Sequence, residues 1–316
     1  GLFGFIKNAT IKNLVLEAEE VSGQDNVALL AGCVEGNSTI YNVTVSGAVY
    51  ANGDAGTIAG EITGGTDHAV IENCTAENVV LNSEGVKSFA GGIAGNAQKT
   101  DVVDCSVFTQ DGDSDRIRGK GYVGGIIGRQ NESNVYNAFV TGTIGGNLTL
   151  AVGGITGLYE SGDIVVAQMD GEISRTNNGA ASLEGAIIGT RESRNTFRYG
   201  TGKRDNFSYL FVNENNKSLT KSISGSGIAD DNTYTYDAHI GYYTDYQKKY
   251  ILTAGTKEQS SGERFFYEEL EDGIKYIITQ KLGKSLNVNY ADGSAFKIDH
   301  YAPGNQGEPV RGYLVS

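Results

Sequence analysis

The residues of this chain that could do chemistry are few and scattered. The run QDGDSDR at 110–116 sets Asp111, Asp113 and Asp115 at alternate positions. That spacing matches the opening of a calcium loop, because hard cations take several carboxylate oxygens. The EF-hand pattern then fails, with Arg116 where glycine is needed and Tyr122 where glutamate is. An acidic, solvated loop is the favoured reading, and calcium is the one cofactor the sequence admits. None of His68, His239 and His300 is followed by glutamate, so the His-Glu-x-x-His zinc signature is absent. Gly-x-Ser-x-Gly and Gly-Asp-Ser-Gly are also missing. Cys33, Cys74 and Cys105 stand 41 and 31 residues apart with no Cys-x-x-Cys, which is neither a metal pattern nor a disulfide framework. No catalytic residue is therefore expected.

Composition narrows the rest. A formal charge of −13 and the lack of a basic stripe argue against nucleic acid. No run of 18 apolar residues exists to insert in a membrane. The 45 glycines come with only Pro303 and Pro309, which fits many tight turns between strands rather than collagen or a flexible linker.

The elements that could position side chains form a repeat. Glycine-closed apolar knots end at Gly4, Gly32, Gly60, Gly95, Gly128, Gly157 and Gly189, at steps of 28, 28, 35, 33, 29 and 32. An anchor follows each of the first six after 9, 10, 13, 9, 9 and 9 residues: Asn13, Asn42, Asn73, Asp104, Asn137 and, breaking the column, Val166. Two before the anchor stand Ile11, Ile40, Ile71, Val102, Val135 and Ile164; one after it stand Leu14, Val43, Cys74, Cys105, Ala138 and Ala167. These columns have opposite strand parity, so the chain must turn or bulge at the anchor. Asparagine tolerates left-handed backbone geometry there and can stack into an amide ladder. The nearly constant arm and the variable return arm predict a parallel β-solenoid of about six rungs, with insertions confined to one side. Cys74 and Cys105 then stack in adjacent rungs at about 5 Å. That separation permits a disulfide, with free thiols favoured.

The stretches GLFGFIKNATIKNLVL, GGIAG and GGIIG with their Ile-x-Asn arms resemble the bacterial GLUG repeat over roughly residues 1–190. The resemblance implies a non-catalytic part of a large secreted or cell-wall-attached bacterial protein. Such repeats stand N-terminal to the catalytic domain of immunoglobulin-A1 metallopeptidases and in adhesin-like proteins.

From about Phe197 the knots stop. Residues 197–316 hold 13 of the 18 tyrosines, with Asp-Gly hairpin signals at 272–273 and 292–293. The sequence therefore divides into an N-terminally truncated solenoid at 1–196 and a smaller antiparallel β-rich domain or cap at 197–316. Tyr234, Tyr236, Tyr242, Tyr243 and Tyr246 are candidates for contacting a host protein or glycan. The expected function is a structural or adhesive module, extracellular or in the cell wall, monomeric within a longer chain. The alternatives are a substrate-positioning region of a secreted zinc metallopeptidase and a carbohydrate-active β-helix.

Overall fold

The computed structural model describes residues 1–191 apart from 110–115, 148, 170, 177–182 and 186, together with seven short strands from Phe207–Asn213 to Gly312–Val315. Every regular element among these residues is a strand. Each knot opens a strand of one seven-stranded parallel sheet: Phe3–Lys7, Ala31–Gly36, Ala59–Gly64, Ala94–Gln98, Ile127–Asn131, Thr156–Tyr159 and Ile188–Arg191. The residues around each anchor build a second parallel sheet. It runs from Thr10–Gly23 and Thr39–Ala51 through Thr100–Thr109 and Asn134–Thr141 to Ile164–Met169. A third, four-stranded sheet stacks Phe89–Gly91, Tyr122–Gly124, Ala151–Gly153 and Leu183–Gly185. Isolated bridges Val27↔Ala55↔Ala90 prolong it through the earlier turns of the coil. The chain is the parallel β-solenoid its period predicts.

The register equals the sequence columns. Ile11, Ile40, Ile71, Val102, Val135 and Ile164 pair in succession. The lumen column two before each knot glycine from Gly32 onward is Leu30, Ile58, Ile93, Ile126, Ile155 and Ile187, each with no more than trace exposure, while Leu2, two before Gly4 on the first turn, is exposed. Burying one such side chain contributes about 1.5–3 kcal/mol. A single coil has no neighbour to cover this face, so stability comes from stacking.

The opposite parity across the anchor is resolved by backbone conformation. Asn13, Asn42, Asn73, Asp104 and Asn137 have φ of 57°, 53°, 52°, 52° and 52°. One left-handed residue turns the strand so that the columns before and after it both face the lumen. Asn8, Lys99 and Glu132 form another left-handed corner at the end of the knot strand, with φ of 47°, 50° and 47°. Its mixed residue types left no column to read in the sequence.

Beyond the knots, Phe207–Asn213 pairs in parallel with Ile164–Met169, and Ile240–Tyr243 with Phe207–Asn213. Parallel stacking thus continues past residue 196. Antiparallel pairs follow, Phe266–Glu269 with Lys275–Ile278 and Leu286–Asn289 with Ala295–Ile298, each spanning one of the Asp-Gly signals. Gly312–Val315 adds to the second of them.

Candidate functional site: a re-entrant groove beside the knots

The knot glycine lies inside a strand, just after a turn that joins the third sheet to the knot sheet. A Cβ on Gly95 would sit 2.5 Å from Gly60 O and 2.7 Å from Ala55 N. On Gly128 it would meet Ala90 N at 2.5 Å, and on Gly157 it would meet Val123 N at 2.7 Å. In each case the obstacle includes backbone of the third-sheet arm one turn earlier. The two arms fold toward each other, and glycine is required because no side chain fits between them.

Where the arms converge, their outward side chains line a groove that runs along the coil. The third-sheet arm supplies the column Asn26, Asp54, Phe89, Tyr122 and Ala151, and the knot arm supplies Cys33, Glu61, Asn96, Arg129 and Leu158. Within each turn the two walls are seven residues apart, in segments such as DAGTIAGE, FAGGIAGN and YVGGIIGR. Contacts cross the groove. Asn26 Nδ2 donates to Glu61 Oε2 at 2.8 Å and to Cys33 Sγ at 3.3 Å. The Arg129 guanidinium lies over the Phe89 ring, 5.5 Å from its centroid, and Phe89 stacks on Tyr122 at 5.5 Å and 26°. Apart from the buried Ala151, the members of these two columns are half-buried.

The groove's polar groups are held in place. Arg129 Nε donates to Glu160 Oε1 at 2.6 Å, an ion pair with little exposure on the glutamate side, and Nη1 donates to Asn96 Oδ1 at 3.4 Å. Asp54 Oδ1 accepts the Phe89 N–H at 2.9 Å. Burial pushes the Asp54 carboxyl up to about 6 against the pull of that N–H; Glu61 raises it further and Arg129 draws it back. Burial likewise raises the Cys33 thiol, the Asn26 hydrogen bond opposing it.

The residues singled out by the sequence fall elsewhere. Asn42 Nδ2 donates to Asn13 Oδ1 at 2.8 Å, Asn73 Nδ2 to Asn42 Oδ1 at 3.2 Å, and Asn137 Nδ2 to Asp104 Oδ1 at 2.8 Å. These side chains are brought together as a structural column on the anchor sheet. Cys74 and Cys105 are free thiols buried in the lumen, and burial raises the Cys105 thiol well above its usual range. Asp111, Asp113 and Asp115 lie outside the described residues, as do Tyr234, Tyr236 and Tyr246. Tyr242 and Tyr243 belong to the strand Ile240–Tyr243. Among the described residues no three His, Cys, Asp or Glu side chains converge as a metal site would require. No helix among them is long and apolar enough to cross a membrane. Sequence reading missed the groove because it followed the columns beside the asparagine, where outward positions are mostly Thr, Ser and Val. The signal was present seven residues apart across each knot.

Similarity to known proteins is local. A stretch of 50 residues is 48% identical to the zinc metalloprotease ZmpB of Streptococcus pneumoniae serotype 4. It spans 15% of this chain and 3% of that protein's length. No family model matches the chain, and no solved structure matches it.

Proposed function

We propose that this chain is a rigid, non-catalytic β-solenoid of the GLUG type, working within a longer bacterial protein of the cell surface or exterior. Its task is to hold other parts of that protein at a fixed distance and orientation. The observation that carries this reading is the continuous stack: seven knot strands in one parallel sheet, an apolar lumen, and side-chain hydrogen bonds that join Asn13 to Asn42, Asn42 to Asn73 and Asp104 to Asn137 at the left-handed corners. Such an array resists bending because each turn is bonded to both neighbours along its length. The local likeness to a zinc metalloprotease favours a region that positions substrate for a peptidase, with the zinc chemistry supplied elsewhere. Adhesive presentation of the Tyr-rich residues 197–316 to a host protein or glycan is the second reading, motivated by their composition.

The test is incubation of the purified chain with casein, immunoglobulin A and a panel of polysaccharides, following new N-termini and new reducing ends. Neither should accumulate above a buffer control. Turnover of any of these substrates that survives repurification and metal chelation would overturn the non-catalytic reading.

A further inference from the structure

We propose that the groove between the third sheet and the knot sheet is a saccharide-binding site, centred on Asp54, Glu61, Phe89, Asn96, Tyr122 and Arg129 and selective for neutral or amine-bearing sugars.

The groove's side-chain chemistry points to this ligand class. Sugars present vicinal hydroxyls, which planar polar groups engage two at a time, and apolar C–H faces, which pack on aromatic rings. All three planar types line this groove: carboxylate in Asp54 and Glu61, amide in Asn26 and Asn96, guanidinium in Arg129. Phe89, with Arg129 over its ring, and Tyr122, stacked on it from the next turn, leave half-buried apolar ring surface beside them. Few polar groups set along an apolar surface is the general make-up of a small-molecule site. Arg129 is already oriented by Glu160 and Asn96, and Glu61 by Asn26, so binding would order few side chains.

The backbone argues against a peptide in the same groove. Extended peptides are usually captured by adding a strand to a free sheet edge. Here the wall strands Ala59–Gly64, Ala94–Gln98 and Ile127–Asn131 are each hydrogen-bonded to a neighbour on both sides. Among the described residues this knot-arm wall offers no free strand edge, and recognition there falls to side chains. Charge then selects among sugars. Asp54 and Glu61 face each other on one turn, while Arg129 is matched by Glu160 at 2.6 Å. Uronic, sialylated or sulfated chains would meet more carboxylate than cation along this groove, since Asp54, Glu61 and Glu160 surround the single Arg129, whereas neutral chains would not be repelled and amino sugars would be attracted. The groove runs along the coil axis, where turns repeat at about 4.8 Å, so an oligosaccharide lying lengthwise would touch several successive side-chain pairs.

The experiment uses the full chain and defined probes: cellotetraose, mannotetraose, chitotetraose and glucosamine tetramer, with sialyllactose and a heparin tetrasaccharide as anionic probes. Calorimetry and ligand-observed NMR should detect at least one neutral or amine-bearing tetramer and neither anionic probe. Tyr122→Leu, Glu61→Gln and Arg129→Lys should each weaken that binding tenfold or more, with Lys7→Ala unchanged. The isosteric Glu61→Gln keeps the test decisive should Tyr122→Leu melt early. Failure of every neutral and amine-bearing probe overturns the site, as does binding indifferent to all three variants or confined to the anionic probes. New reducing ends from a bound tetramer would support the site and sink the non-catalytic reading above. The absence of binding would leave that reading standing.

Discussion

Asn42 Nδ2 donates to Asn13 Oδ1 at 2.8 Å across one turn of the coil, and both residues hold left-handed backbone, at φ of 53° and 57°. One residue type thus does two jobs at the same corner. Its backbone reverses strand parity, and its side chain ties the corner to the next. Alanine at 42 would keep neither, since it disfavours left-handed geometry by about 1–2 kcal/mol and breaks both ladder bonds. Asn42→Ala should cost about 2 kcal/mol in urea denaturation, and Asn42→Gly clearly less, because glycine keeps the corner and loses only the amides. Equal losses for the two would mean the left-handed backbone carries no energetic weight.

The knot glycines should differ sharply in their tolerance of a methyl group. Gly95→Ala drives a Cβ against the backbone of Gly60 and Ala55, neither of which can yield without shifting a strand. Overpacking of this kind costs about 1–3 kcal/mol, sometimes more. Gly4, in the same column, has nothing within 4 Å of its Cβ position. Gly4→Ala should therefore melt within a degree or so of the parent, while Gly95→Ala melts well below it.

Asp54 gives the fold a pH dependence of definite sign. Its carboxyl titrates near about 6 when folded and near the ordinary 3.8 when unfolded. Between those values the folded state holds the proton more tightly, so this group's contribution to stability falls as pH rises from about 4 to about 6. Asp54→Asn should flatten that part of the melting-temperature profile. A profile unchanged by the substitution would assign the slope to other groups.

The three thiols should separate by reactivity. Cys33 lies half-buried on the groove wall, whereas Cys74 and Cys105 are sealed in the lumen. A thiol reagent added to the native chain should modify one cysteine, slowly near neutral pH because burial raises the Cys33 thiol, and faster as pH increases. The other two should react only after denaturation. Native modification of all three would show that the lumen opens.

Much of this architecture was legible in the residues themselves. Columns such as Ile40, Ile71 and Val102 fixed the rung register, because a strand slipped by one residue would turn its apolar face to water. The left-handed anchor followed from the clash of parity between Ile11 and Leu14. The second corner at Asn8, Lys99 and Glu132 did not, since lysine and glutamate carry no signature of that conformation. Phe207–Asn213 continuing the parallel sheet was likewise invisible, having no knot before it.

The sequence by itself determined that the chain coils, that it turns at the knot and at the anchor, and which side chains fill its lumen, because these follow from local backbone preference and from the periodic need to bury apolar groups. Only the tertiary structure decided that Asp54 faces Glu61 and that Arg129 covers Phe89. Those pairings depend on the angle at which two arms meet around a glycine. That angle is set by packing between successive turns, and no single turn encodes it.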